Sequence, residues 1–162
     1  MFPEVVANYR CLLSRLVGRT IKVSIPTSVC KPIRISRETI ERILLNLVKN
    51  AAVATPQDGV IHIEADYRDE ERCQYFVITV ADEGIGMCQS TVEMLQAGVL
   101  PPRATGKGLG FRIVQELVAD SGGFIEISSK LGEGTRISVK WPEVGKKANL
   151  RCFQLSKVNF SK

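Results

Sequence analysis

The sequence contains no apolar run approaching the roughly 20 residues that a membrane-spanning helix needs, and its N-terminus lacks a signal-peptide pattern. Histidine and tryptophan each occur only once among the 162 residues. The five cysteines are widely spaced without a CxxC pair, which argues against a zinc site, and their odd number argues against a disulfide framework. These absences together indicate a chain that works in a reducing, cytoplasmic compartment.

The C-terminal end of the chain is basic and carries no acidic residue. The net charge is +5, but the segment from residue 145 onward carries five basic residues and no acid. Removing those five from the 22 basic residues leaves 17 against 17 acidic residues, so the body of the chain is neutral. We therefore predict no nucleic-acid partner, and interpret residues 145–162 as a basic tail or linker, with contact to a partner or an acidic surface as the alternative.

Strand and helix patterns alternate along the chain, and the strand patterns have short links that favour antiparallel pairing. Five segments have strand patterns: 21–26, 60–67, 74–82, 124–129 and 135–142. Three helices are predicted: one near the N-terminus, one over residues 37–54 with Ser36 as N-cap, and one after a glycine cluster near residue 110. Residues 88–105 have no strong period and are interpreted as a long lid or binding loop. The fold class is therefore α/β (α+β), a two-layer sandwich with a mixed, mostly antiparallel sheet covered on one face by about three helices.

The helix over residues 37–54 carries two asparagines on a narrow stripe. At about 100° per residue its apolar positions share one arc. That predicted core arc consists of Ile40, Ile43, Leu44, Leu47, Val48 and Ala51. Asn46 and Asn50 lie together at the edge of the arc, whereas Lys49 lies farther round toward solvent. An amide oxygen there could bind a hard cation and an amide NH2 a phosphate oxygen, but bonds to nearby backbone are the alternative.

The strand over residues 74–82 ends in an aspartate followed by two glycines. A carboxylate accepts hydrogen bonds, so Asp82 would select a donor such as the amino group of adenine. Gly84 and Gly86 would let the backbone approach a flat base closely. An ordinary turn is the alternative. Cys88, which follows this segment, is predicted to be a small buried thiol.

A second glycine cluster precedes the last predicted helix. Gly106, Gly108 and Gly110 would expose backbone N–H groups at a helix N-terminus, which suits phosphate. Lys107 and Arg103 could add positive charge there, with solvated lid residues as the alternative. The cluster lacks the sequence of a P-loop.

Four motifs in order resemble the ATP-binding catalytic domain of sensor histidine kinases, in the GHKL superfamily shared with gyrase-type ATPases and an ATP-dependent chaperone. The matching segments are "LLNLVKNAAVAT", "DEGIGM", "GKGLGFRIV" and "GEGT", within roughly residues 20–142. The resemblance implies a catalytic domain over residues 21–144. Residues 1–20 would end a helical or dimerisation segment.

The resemblance also implies ATP and Mg²⁺ as ligands, with Asn50 as the metal ligand and Asp82 on the adenine amino group. It implies catalytic roles for Asn46, Asn50 and Lys107. The nucleotide-binding residues that it implies are Asn46, Asn50, Asp82, Gly84, Gly86, Gly106, Lys107, Gly108, Leu109, Gly110 and Thr135. Val53 occupies a position where related kinases often carry a lysine, and the lid lacks their phenylalanine-rich box.

Asn46 favours a kinase over a hydrolase. Hydrolysing members of the superfamily carry a glutamate at this position as general base, and an amide cannot accept a proton at neutral pH. The acceptor would be a histidine on a dimerisation hairpin, in the same full-length protein or in a partner. His62, predicted on the exposed face of a strand, would not serve. A nucleotide-binding module without transfer, or an ATPase, are the alternatives.

The resemblance further implies a downstream response regulator and a homodimer when the protein is full length. The cytoplasmic compartment could then be that of a membrane-bound sensor.

Overall fold

The computed structural model describes residues 2–26, 35–70, 73–99 and 109–143. The helices and strands follow in the order α1 (Phe2–Val17), β1 (Thr20–Ser24), α2 (Arg37–Ala54), β2 (Val60–Glu70), β3 (Cys73–Asp82), α3 (Gln89–Gln96), α4 (Leu109–Asp120), β4 (Phe124–Lys130) and β5 (Gly134–Pro142). Within the described ranges, no helix is long and apolar enough to cross a membrane.

The five strands form one mixed sheet in the order β1-β2-β3-β5-β4. Only the β1–β2 pair is parallel, and the other three pairs are antiparallel. Alternate residues of β2 are buried, beginning with Ile61 and Ile63, because one face of the sheet packs on the helices. The mixed two-layer fold predicted from the sequence is confirmed.

Helix α2 forms where the sequence predicts it. The Ser36 side chain accepts a hydrogen bond from the Thr39 backbone N–H at 3.1 Å and so caps the first turn. All six residues of the predicted core arc are buried. Each large aliphatic side chain buried in this way contributes about 1.5–3 kcal/mol, so α2 is held in place by its apolar face.

The segment predicted as an unbroken loop over residues 88–105 begins instead with a helix, α3. That helix has eight residues and only Val92 is buried, so two turns give too few apolar positions to show a helical period. Strand β2 also continues beyond its predicted end at residue 67, to Glu70, paired with β3.

The prediction that Cys88 is buried is wrong. Cys88 is the N-cap residue of α3 and is exposed, with its Sγ 3.2 Å from the Ser90 hydroxyl and 3.1 Å from the Thr91 hydroxyl. The physical reason is that a helix N-cap lies outside the packed face of its helix.

His62 lies on the sheet face opposite the helices, between the buried Ile61 and Ile63. Its side chain is 36% exposed, and Nε2 is 4.0 Å from the Glu83 Oε1 atom. The predicted strand position of His62 is confirmed, and the residue is half-buried there rather than fully exposed.

Candidate functional site

The end of β3 places Asp82 beside β5. Asp82 pairs with Thr135 in the strand register, and its Oδ1 accepts a hydrogen bond from the Gly84 N–H at 2.9 Å. Burial raises the pKa of the Asp82 carboxyl, and the backbone N–H groups of Gly84 and Thr135 act in the opposite direction. Thr135 therefore supports Asp82 through its backbone, while its hydroxyl lies 2.9 Å from the Ser129 hydroxyl.

Gly84 and Gly86 allow two close backbone approaches. A Cβ atom on Gly84 would lie 2.5 Å from the carbonyl oxygen of Ala54, the last residue of α2. Gly86 has φ +64°, and a Cβ atom there would overlap the carbonyl oxygen of Lys130. The glycines thus let the loop over residues 83–88 pack between the end of α2 and the turn from β4 to β5.

Backbone hydrogen bonds fix this loop on both sides. The Ile85 N–H donates to the Ala54 carbonyl at 3.3 Å, and the Ile85 carbonyl accepts from the Gly132 N–H at 2.8 Å. The Met87 N–H donates to the Ser129 hydroxyl at 2.8 Å. We call Asp82, Gly84, Gly86 and Thr135 the aspartate half of the site.

Asn46 and Asn50 present their amide oxygens to the start of α4. The two Oδ1 atoms lie 3.1 and 3.5 Å from the position that a Cβ atom on Gly110 would occupy. The Asn46 Nδ2 donates to the Arg42 carbonyl at 2.8 Å, so the alternative of a bond to nearby backbone is realised for its NH2 group. Among the described residues, the Asn50 amide makes no side-chain hydrogen bond. Asn46, Asn50 and Gly110 are the asparagine half of the site.

The asparagine half has the chemistry of an anion and hard-cation site. Amide oxygens are ligands that Mg²⁺ accepts, and the first turn of α4 carries no acidic residue that would oppose an anion at the helix N-terminus. The described part of the chain has no group of three His, Cys, Asp or Glu side chains that could hold a metal alone. The donor set fits a magnesium ion that also has water and anionic ligand oxygens in its shell.

Helix α2 connects the two halves. Asn46, Asn50 and Ala54 follow one another at single-turn spacing, and Ala54 contacts the loop of the aspartate half through its carbonyl oxygen. At a rise of about 1.5 Å per residue, Asn50 lies roughly 6 Å along the helix axis from Ala54. Gly110 thus lies against the two asparagines of α2, and Gly84 lies against Ala54 at its end. Asp82, Gly86 and Thr135 are joined to that end of α2 through the loop over residues 83–88 and the β3–β5 pairing.

The other predicted site residues are placed differently. Leu109 begins α4 with its side chain 66% exposed. Gly106, Lys107, Gly108 and Arg103 lie outside the described residues.

Sequence reasoning missed Ser129 and the lowered pKa of Cys88, both close to these residues. Ser129 bridges the loop and the β4–β5 turn, since its hydroxyl accepts from Met87 and donates to the Gly134 carbonyl at 2.8 Å. At Cys88, hydrogen bonds from the Ser90 and Thr91 hydroxyls lower the pKa of the thiol to about 7. The signal for Cys88 was present in the sequence as hydroxyl residues two and three positions after a cysteine.

Comparison with known proteins relates this geometry to one family. The family described as "Histidine kinase-, DNA gyrase B-, and HSP90-like ATPase" matches residues 35–145. Sensor kinase CckA of Brucella abortus (strain 2308) is 31% identical over 155 residues, which cover 87% of this chain and 16% of CckA.

Solved structures share the fold. The mycobacterial sensor histidine kinase MprB matches with a TM-score of 0.68 at 20% identity, over 87% of this chain and 93% of that one. Full-length ShkA in complex with AMPPNP matches with a TM-score of 0.68 at 22% identity, over 91% of this chain and 31% of that one. The chain belongs to the histidine kinase-, DNA gyrase B- and HSP90-like ATPase family, as an ATP-binding catalytic domain of the histidine kinase type.

Proposed function

We propose that this chain binds Mg-ATP and transfers the γ-phosphoryl group to a histidine on a helical dimerisation hairpin. The observation that supports the proposal is the attachment of both halves of the site to α2. The Asn46 and Asn50 oxygens lie beside Gly110, and the loop that follows Asp82 binds the carbonyl at the end of the same helix.

In this proposal the aspartate half recognises the base. The Asp82 carboxylate accepts the hydrogen bond of the adenine amino group, a charge-assisted bond of about 1.5–3 kcal/mol. One Asp82 oxygen already accepts from Gly84, which fixes the orientation of the carboxyl plane. Guanine would present a carbonyl oxygen to the carboxylate, and the resulting repulsion gives preference for adenine.

The asparagine half would hold the metal and the phosphates. The Asn50 oxygen is the proposed Mg²⁺ ligand, because its amide has no competing hydrogen bond among the described residues. Bound Mg²⁺ would neutralise part of the phosphate charge. Leu109 and Gly110 at the start of α4, with Gly106, Lys107 and Gly108 before it, would surround the phosphates.

Asn46 makes phosphoryl transfer to histidine a better assignment than hydrolysis. Its NH2 group is bound to the Arg42 carbonyl, and its oxygen cannot take a proton from water at neutral pH. A neutral imidazole already has a free lone pair. In the transfer, a nitrogen–phosphorus bond forms as the bond from the γ-phosphorus to the bridging oxygen breaks. ADP leaves with that electron pair, and the imidazole releases its N–H proton to solvent.

This function also implies domain boundaries and partners for the longer protein. Residues 1–20 would continue the dimerisation segment, residues 21–144 form the catalytic domain, and residues 145–162 form a basic tail or linker. The longer protein would be a homodimer, act in the cytoplasm where ATP is available, and pass phosphate to a response regulator. The similar ShkA structure, solved with AMPPNP, supports a nucleotide in this fold.

A nucleotide-binding module without transfer is the second candidate. His62 is the only histidine of the chain, and it lies on the sheet face opposite α2 and α4. This position favours either a phosphoryl-accepting histidine outside these 162 residues or no phosphoryl transfer at all.

Radiolabelled ATP supplied with this chain and a histidine-containing dimerisation hairpin tests the proposal. We expect label on the hairpin, no label when its histidine is replaced by glutamine, and strongly reduced label with Asn50→Ala. Lys49→Ala, an exposed neighbour on α2, serves as the matched control. Binding of ATP without any labelled hairpin would support the module instead. Steady phosphate release without a hairpin would support an ATPase.

A further inference from the structure

The C-terminal end of α2 carries no cation of its own. The last turn contains no basic residue, and Thr55 ends the helix in an extended conformation rather than in a glycine cap. The last carbonyl groups of a helix need donors and favour positive charge. Thr55 is 3% exposed, so donors for this end must come largely from the protein.

Arg19, which lies 36 residues away in the chain, provides those donors. Its Nε and Nη2 atoms both donate to the Thr55 carbonyl, at 3.2 and 3.1 Å, and Nη1 donates to the Gly18 carbonyl at 3.2 Å. A guanidinium that donates two N–H groups to one carbonyl fixes the orientation of the contact and also supplies positive charge. A lysine ammonium supplies the charge without that fixed orientation.

The backbone of Arg19 is tied to the end of α1. The Arg19 carbonyl accepts from the Ser14 hydroxyl at 2.7 Å, and the Gly18 N–H donates to the Ser14 carbonyl at 2.9 Å. Leu13, next to Ser14, is fully buried in the core. Hydrogen bonds to Ser14 therefore hold the backbone of Arg19 at the last turn of α1.

The neighbouring carbonyl of α2 contacts the aspartate half. Ala54 accepts from Ile85 at 3.3 Å and lies against Gly84, while Thr55 accepts from Arg19. Two successive carbonyl groups thus join α1 on one side to the loop over residues 83–88 on the other.

We infer that Arg19 is a positioning residue, which couples the placement of α1 to the adenine-contacting loop through the last carbonyl groups of α2. This inference rests on the proposed adenine role of Asp82. It concerns regulation of that site: a displacement of α1 changes nucleotide affinity without any contact between α1 and the nucleotide.

Hydrogen exchange and ATP titration of the 162-residue chain test the coupling. In Arg19→Ala we expect the Ile85 amide to exchange roughly three- to tenfold faster and the Kd for Mg-ATP to rise by a similar factor. The Gly123 amide, bonded to the Val118 carbonyl at 2.8 Å at the far end of α4, should keep its rate. Arg19→Lys should fall between Arg19→Ala and the parent.

Two control variants separate coupling from general stability. Arg15→Ala removes an exposed cation from the same end of α1 and should leave Ile85 and the Kd unchanged. Ile63→Val loosens the buried sheet and should accelerate Ile85 and Gly123 together.

The inference is overturned if Arg19→Ala behaves like either control variant. A parent chain that does not bind ATP would instead refute the proposed function. The difference in exchange between Ile85 and Gly123 would still decide whether Arg19 couples α1 to the loop.

Discussion

The aspartate half is positioned by the main chain, whereas the asparagine half presents side chains. Around Asp82, the loop is fixed by the N–H groups of Gly84, Ile85 and Met87, and two glycines lie where a side chain would collide with backbone. Asn46 and Asn50 instead project amide oxygens from a regular helix toward Gly110. In the proposed function, a rigid base is recognised by fixed backbone and a carboxylate, while a metal and phosphates are bound by amide oxygens on a helix.

Gly86→Ala, in the aspartate half, should have the largest effect. The new Cβ would overlap the Lys130 carbonyl at φ +64°, so we expect a loss of about 3 kcal/mol or more in the free energy of unfolding, with loss of ATP binding. Chemical denaturation measures the change. The matched control is Gly132→Ala, at φ +78° with no atom within 4 Å of the new Cβ, which should cost about 1–2 kcal/mol. Equal losses would contradict the packing account of Gly86.

Asp82→Asn should reduce the ratio of ATP to GTP affinity by roughly 10- to 100-fold, because a carboxamide can also donate a hydrogen bond to guanine. Isothermal titration with both nucleotides measures the ratio, and Glu83→Gln, at an exposed side chain, is the control.

Burial raises the pKa of Asp82, so its carboxylate is protonated at a less acidic pH than that of an exposed aspartate. The preference for adenine should fade as the pH falls through that raised value. An unchanged ratio of ATP to GTP affinity in Asp82→Asn would refute the proposed role of Asp82 in recognising adenine.

Asn50→Ala should weaken ATP binding roughly tenfold in the presence of magnesium, through loss of a metal ligand. In EDTA the variant and the parent should bind ATP almost equally. Fluorescence titration with and without the metal gives both constants, and Lys49→Ala should match the parent in both. A loss of the same size in EDTA would mean that Asn50 contacts the nucleotide rather than the metal.

The smallest effect is expected at Cys88, where the loop of the aspartate half leads into α3. Because its pKa is lowered to about 7, alkylation by iodoacetamide should rise most steeply as the pH increases through that value. Replacing Ser90 and Thr91 by alanine removes the hydroxyls and should slow alkylation at pH 7 a few-fold. Mass spectrometry separates Cys88 from Cys11, the other exposed cysteine among the described residues, which should not respond to those replacements. An unchanged rate at Cys88 would show that the hydroxyls do not stabilise its thiolate.

The parts of the fold that the sequence predicted are those with a strong local signal. Helix α2 has a capping serine and six apolar positions at helical spacing, so its bounds and buried face follow from residues 36–54. Strands such as β2 show the two-residue alternation of a sheet with one packed face. The motifs predict that Asn50, Asp82 and the glycine run over residues 106–110 line one cavity. The structure brings Asn50 and Gly110 together, while residues 106–108 lie outside the described ranges.

What the sequence did not predict depends on backbone partners distant in the chain or on elements too short for a period. The partner of Arg19 is a carbonyl group, and a main-chain oxygen leaves no trace in residue identity. Helix α3 buries Val92 alone, so its sequence shows no helical period and does not reveal Cys88 as an N-cap.

The attachment of both halves to α2 has a consequence for changes in chain length. Inserting one residue between Asn50 and Ala54 would rotate the asparagines by about 100° relative to the loop and shift them by about 1.5 Å. Val53 lies on the solvent side of this turn and is 68% exposed, so substitutions there should leave that geometry intact. The spacing from Asn50 to Ala54 should therefore tolerate replacement of its solvent-exposed residues, but neither the insertion nor the deletion of a residue.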